Sequence, residues 1–78
     1  MVTGGRVYGG MTPAERRARR RAQLLEAGLE VFARRGWARA TVADVCRAAG
    51  LSQRYFYEQF ADREGLFLAI TDRIAEEV

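Results

Sequence analysis

Residues 41–67 read TVADVCRAAG-LSQRYFYEQF-ADREGLF. Thr41 can cap a helix, and Asp44 three residues on resembles the acidic half of a capping box. Val42, Val45, Cys46 and Ala49 recur at helical spacing and form an inward face. Gly50 ends that helix and tolerates a left-handed turn conformation. Ser52 is placed to cap a second short helix running to about Phe60. Phe56 and Phe60 lie four apart in it and should anchor it to a core. Asp62 opens a further helix whose stripe is Leu66, Phe67, Ile70, Ile74 and finally Val78. Two short helices across a Gly turn, over about 41–60, predict a helix-turn-helix.

Working toward the N-terminus, Thr12-Pro13-Ala14-Glu15 announces a longer helix. Thr12 caps, Pro13 fits the first helical position, and Glu15 completes a capping box. That helix runs to about Arg35. Its apolar stripe is Leu24, Leu25, Gly28, Leu29, Val31 and Phe32. Gly36 stops it, with Arg34 and Arg35 near the negative end of its dipole. Trp37 follows and is expected as a core plug between the first two helices. Residues 1–11 hold two Gly pairs and read as a flexible arm, or as an extension upstream of Met11. The fold expected is all-α: a small helical bundle over 12–78, homeodomain-like, with three helices plus the start of a fourth. The last stripe reaches Val78 without a stop signal, which suggests that more protein follows.

Composition narrows the chemistry. Seventy-eight residues allow one small domain of modest core, and 49% apolar content is globular. No apolar run approaches the roughly 20 residues of a membrane span. The start lacks an apolar signal region, so the expectation is a cytoplasmic protein with no membrane partner. One cysteine and no histidine exclude an intramolecular disulfide and His-based catalysis. No nucleophile–base pair, metal-ligand set or phosphate-cradling Gly loop is present, so neither an enzyme nor a cofactor is expected. Cys46 reads as a small core residue.

The net charge is +3, and it is unevenly spread. Residues 1–40 hold nine Arg against three acids, whereas residues 41–78 hold four Arg against seven. A basic block of this kind is an electrostatic footprint for a polyanion. It is centred on Arg16, Arg17, Arg19, Arg20 and Arg21. An Ala/Arg-rich composition or a solvated helix face would give the same block.

The second helix of the motif carries the functional pattern. Opposite Phe56 and Phe60 it presents Gln53, Arg54, Tyr55 and Tyr57. Gln can read adenine and Arg can read guanine at major-groove edges, each with two hydrogen bonds. Tyr57 can bond a phosphate or lie on a thymine methyl. Thr41 and Val42, at a helix N-terminus, can hold a phosphate, and Arg63 can do so from the other side. Ser52, Gln59, Arg16, Arg17 and Arg20 complete the phosphate-binding set. The partner expected is double-stranded DNA.

These residues resemble the N-terminal DNA-binding domain of the TetR/AcrR family of bacterial transcriptional regulators. The matching text is Leu24-Leu25-Glu-Ala-Gly-Leu-Glu-Val-Phe32, Arg-Arg-Gly36-Trp37, Ala-Thr41-Val-Ala-Asp-Val45, Ala49-Gly50-Leu51-Ser52 and Phe56-Tyr57-Glu-Gln-Phe60-Ala-Asp-Arg63-Glu-Gly-Leu66. The likeness runs from about residue 15 to 75. It implies that Thr41 contacts a phosphate and that Gln53, Arg54 and Tyr55 occupy the variable reading positions. Tyr57 matches the family's recognition-helix tyrosine. Arg63 stands where the family usually has a phosphate-binding Lys, and Gln59 replaces a common His or Tyr. Repression is the commoner outcome in such a family. Its members form homodimers through a following helical domain that also binds the effector. That domain lies outside this sequence, so neither property carries over. Two other readings stay open: a protein-interaction module using the apolar stripe of the last helix, and a non-functional fragment of a regulator.

Overall fold

The computed structural model of the chain describes residues 11–77. Four helices follow in order: α1 (Pro13–Arg35), α2 (Val42–Ala49), α3 (Gln53–Gln59) and α4 (Arg63–Glu77). Among the described residues there is no strand. Residues 1–10 of the arm expected over 1–11, and the stripe position at Val78, lie outside the described residues.

Helix α1 begins with a complete capping box. The Glu15 amide donates to the Thr12 hydroxyl at 3.1 Å, and the Thr12 amide donates to the Glu15 carboxylate at 2.8 Å. Pro13 fits here because its missing N–H would have had no helical partner. At the other end Gly36 takes φ 81° and donates its N–H to the Phe32 carbonyl. The helix is 23 residues long, or about 35 Å. It is the spine of the fold, and α2, α3 and α4 all pack on it.

The core is one cluster. Leu24, Val45, Phe56 and Leu66 are fully buried in it, one from each helix. Around them lie Leu25, Ala27, Val31, Ala40, Cys46, Phe60 and Ile70. At Gly28 side chains of α4 pack directly against the α1 backbone. A Cβ there would lie 2.7 Å from Leu66 Cδ2 and 3.0 Å from Ile70 Cδ1.

Several side chains depart from the sequence reading. Leu29 is 49% exposed, because it sits one residue, about 100°, past Gly28 on the helix wheel. Ala27 is buried instead. Trp37 is not a core plug: it is 43% exposed, and Ala40, at 1%, fills the space beneath the connector. The indole packs on the outside, with ring centroids 5.3 Å from Phe32 and 5.5 Å from Phe67. Phe67 and Ile74 are also largely exposed, so the buried stripe of α4 narrows to Leu66 and Ile70. Helix α3 ends at Gln59, and Phe60 turns extended at its cap while staying buried.

Gly28→Ala should therefore destabilise the fold despite the helix propensity gained. Filling the slot costs about 1–3 kcal/mol, against a gain of ~1 kcal/mol for removing a helical Gly. A urea titration followed by circular dichroism would show a lower midpoint, and an unchanged or higher midpoint would refute the tight contact.

Candidate nucleic-acid interface

The motif is locked by short-range bonds. The Asp44 amide donates to the Thr41 hydroxyl at 3.0 Å, and the Thr41 amide donates to the Asp44 carboxylate at 3.2 Å. At the far end of α2, Gly50 adopts a left-handed conformation, φ 73° and ψ 28°. The Leu51 amide reaches back to the Cys46 carbonyl at 3.0 Å and the Gly50 amide to Arg47 at 3.3 Å. That pair of bonds is a Schellman closure, and Leu51 completes it by packing on the core. Ser52 stands at the N-cap of α3 with extended backbone, but its side chain makes no capping hydrogen bond. The expected hydroxyl cap is thus replaced by backbone closure: the Ser52 carbonyl accepts from Tyr55 at 3.1 Å and Phe56 at 3.4 Å.

Helix α3 has three faces. Phe56 and Phe60 point into the core, with ring centroids 5.6 Å apart. Gln53, Arg54, Tyr57 and Glu58 are exposed and share one side at i, i+1, i+4 and i+5. Arg54 leans toward Glu58, Nε to carboxylate 3.8 Å, as an exposed pair of little energetic weight. Tyr57 is 55% exposed while its ring rests edge-on against Phe56 at 5.1 Å. The third face, Tyr55 and Gln59, turns toward the first half of α1. Both are only half-exposed. The Arg20 guanidinium lies 4.0 Å from the Tyr55 ring centroid. The Gln59 amide reaches the Arg17 carbonyl at 3.5 Å.

The arginine block of α1 is accordingly divided. Arg20 covers Tyr55, and Arg21 covers the Phe60 ring at 4.8 Å. Arg16 donates to the Met11 carbonyl at 2.9 Å. Arg16, Arg17 and Arg19 remain exposed beside α3. This clip between α1 and α3 escaped the sequence reading. Its signal was there: Tyr55 and Gln59 run parallel to the Phe56–Phe60 row, one residue earlier.

Thr41 is exposed and Val42 half-buried at the start of α2. Arg63, the first residue of α4, is half-buried and directed at the α1–α2 connector, donating to the Trp37 and Ala40 carbonyls. Asp44 sits between Arg35 and Arg47, each at 3.4 Å. Hydrogen bonding with Thr41, aided by these two guanidinium groups, holds its carboxyl below the ordinary 3.8 against the opposing effect of partial burial. Burial pushes the Cys46 thiol up, which keeps it protonated and packed. Among the described residues no cluster of His, Cys, Asp or Glu could hold a metal ion. No described helix is long and apolar enough to cross a membrane.

A capped helix, a left-handed Gly turn and a short helix with one exposed polar row define a helix-turn-helix domain of the regulator type. Residues 24–70 match the family described as bacterial regulatory proteins, tetR family, and the chain belongs to it. The chain is 36% identical over 66 residues to the HTH-type transcriptional regulator AlkX of Mycobacterium tuberculosis, covering 80% of this chain and 31% of that protein. It is 38% identical over 56 residues to the HTH-type transcriptional regulator TtgR of Pseudomonas putida, covering 72% and 27%. It is 37% identical over 70 residues to the HTH-type transcriptional activator FasR of Mycolicibacterium smegmatis, covering 90% and 31%. No solved structure matches the chain. The chain thus spans less than a third of the length of these relatives. The relatives named are transcriptional regulators, not enzymes.

Because the Asp44 carboxyl is held low in the fold, it stabilises the fold above its ordinary value and ceases to as pH falls through the lowered one. Asp44→Asn should melt below the wild type at neutral pH, and the gap should close as pH drops beneath 3.8. Thermal melts across that range would show it. A gap that stays constant with pH would mean that the charge of Asp44 is immaterial to the cap.

Proposed function

We propose that residues 12–78 act as a sequence-specific double-stranded DNA-binding module of a transcriptional regulator, with α3 in the major groove. The observation that carries this reading is the exposed row Gln53, Arg54 and Tyr57 on a helix fixed by Phe56 and Phe60. Gln53 and Arg54 offer paired hydrogen-bond groups to base edges. Tyr57 adds a hydroxyl at the end of the row. Tyr55 reads from the flank, held by Arg20. Thr41, Val42 and Ser52 line the two helix starts, and Arg16, Arg17, Arg20 and Gln59 line the α1 side. Together these groups supply phosphate contacts that fix register without reading sequence.

Repression is the sense we assign. A module seated in a promoter groove excludes other proteins from it, and the position of the operator sets whether that blocks or assists transcription. One helix-turn-helix covers one half-site, and tight operators pair two. A homodimer of the longer regulator is the arrangement that would supply the second. The module alone should bind modestly and lose affinity steeply with salt.

Fluorescence anisotropy of the full chain against mixed-sequence duplex at two salt concentrations tests this. Salt-sensitive binding supports the reading. No binding at low salt would sink it and favour an interaction surface at the exposed Trp37, Phe67 and Leu68. On a selected site, Arg54→Ala should cost about 1–3 kcal/mol and relax one base position. An equal loss on every sequence would mean that Arg54 reads no base.

A further inference from the structure

We propose that Arg63 is a positioning residue: it fastens the Trp37–Ala40 connector, and with it the start of α2, to the start of α4, and contributes to DNA binding through that placement and not through a phosphate. One terminal nitrogen donates to two carbonyls, those of Trp37 and, at 2.6 Å, Ala40. The guanidinium carbon stands 4.2 Å from the Trp37 ring centroid. The cation is thus held both in the plane of its donors and by its flat face. Only a planar guanidinium can do both; an ammonium could keep the charge but lose the stack or a bond.

Within the connector, hydrogen bonding is sparse. Its own bond runs from the Ala40 amide to the Gly36 carbonyl at 3.1 Å. Ala40 is 1% exposed and directly precedes Thr41, the N-cap whose hydroxyl holds the Asp44 amide. The Trp37 ring is also packed against Phe32 of α1 and Phe67 of α4. Arg63 therefore ties together the end of α1, the start of α2 and the start of α4. A phosphate approaching there would find one terminal nitrogen committed to two carbonyls and the flat face of the guanidinium stacked on Trp37, so it could reach only the remaining N–H groups. The DNA consequence rests on the reading given under Proposed function; the placement itself does not.

The test compares Arg63→Lys and Arg63→Ala in the full chain. Without DNA, amide exchange by NMR should quicken about tenfold or more at Asp44 in both variants, the loss of bonds to a charged donor. The amide of Val31 in α1 serves as the reference and should hold. Trp37 emission should shift in both. With mixed-sequence duplex, both variants should bind about tenfold more weakly while the salt slope stays that of the wild type. A Lys variant equal to wild type, with an Ala variant whose salt slope drops by about one, would overturn the proposal and mark Arg63 as a phosphate ligand. Exchange rising equally at Val31 in the Lys variant would also overturn it, as general loosening. If Arg63→Ala unfolds, the Lys variant carries the comparison. A wild type that binds no DNA would defeat the functional reading, and the exchange data would still decide the fastening.

Discussion

Burial of Phe56 is the constraint on which the rest depends. A helix of seven residues cannot hold itself together in water, because nucleation costs more than so few turns return. What keeps α3 helical is the insertion of Phe56 and Phe60 among residues of the other three helices. The same insertion fixes the rotation of α3 about its axis. Once Phe56 points inward, Arg54 and Tyr57 must point outward and Tyr55 and Gln59 face α1, while Gln53 is exposed as the first residue of the helix. The chemistry available to a ligand is thus decided by a side chain that no ligand touches.

The electrostatics follow the same division. The basic excess of the first half falls along α1, next to the third face of α3. Two of those arginines lie over Tyr55 and Phe60, so part of the block serves packing as well as charge. The acids of the second half are partly used to satisfy helix starts. Asp44 and Asp62 each accept the amides that begin a helix. What looked in the sequence like opposed charge blocks is, in the fold, a basic edge with local acidic caps.

The features that were legible in the sequence are those settled within five residues. The boxes at Thr12–Glu15 and Thr41–Asp44, the stops at Gly36 and Gly50, and the Phe56–Phe60 anchor all belong to this kind. So does the family resemblance, which rests on such local text and which the match over 24–70 bears out. The features that were hidden depend on distant partners. Arg63 meets Trp37 across 26 positions, and Gln59 meets Arg17 across 42. Periodicity says which residues share a face; it does not say what that face meets. Leu29 and Trp37 differ from expectation for that reason: each is apolar, but Leu29 lies at the edge of the buried face of α1 and Trp37 packs on the outside against Phe32 and Phe67. Ser52 failed differently: backbone bonds closed its helix start before its hydroxyl was needed.

The closure at Gly50 also bears on the thermodynamics of association. With the turn held by two backbone bonds and both flanking helices seated in one core, the angle between α2 and α3 is fixed before any partner arrives. Docking then has little backbone left to order. The entropy lost on association comes mainly from the long side chains of Gln53 and Arg54 and from rigid-body freedom. A surface prepared in this way should associate with a small conformational penalty, and the discrimination it achieves should come from the fit of a few side chains and not from folding around the partner.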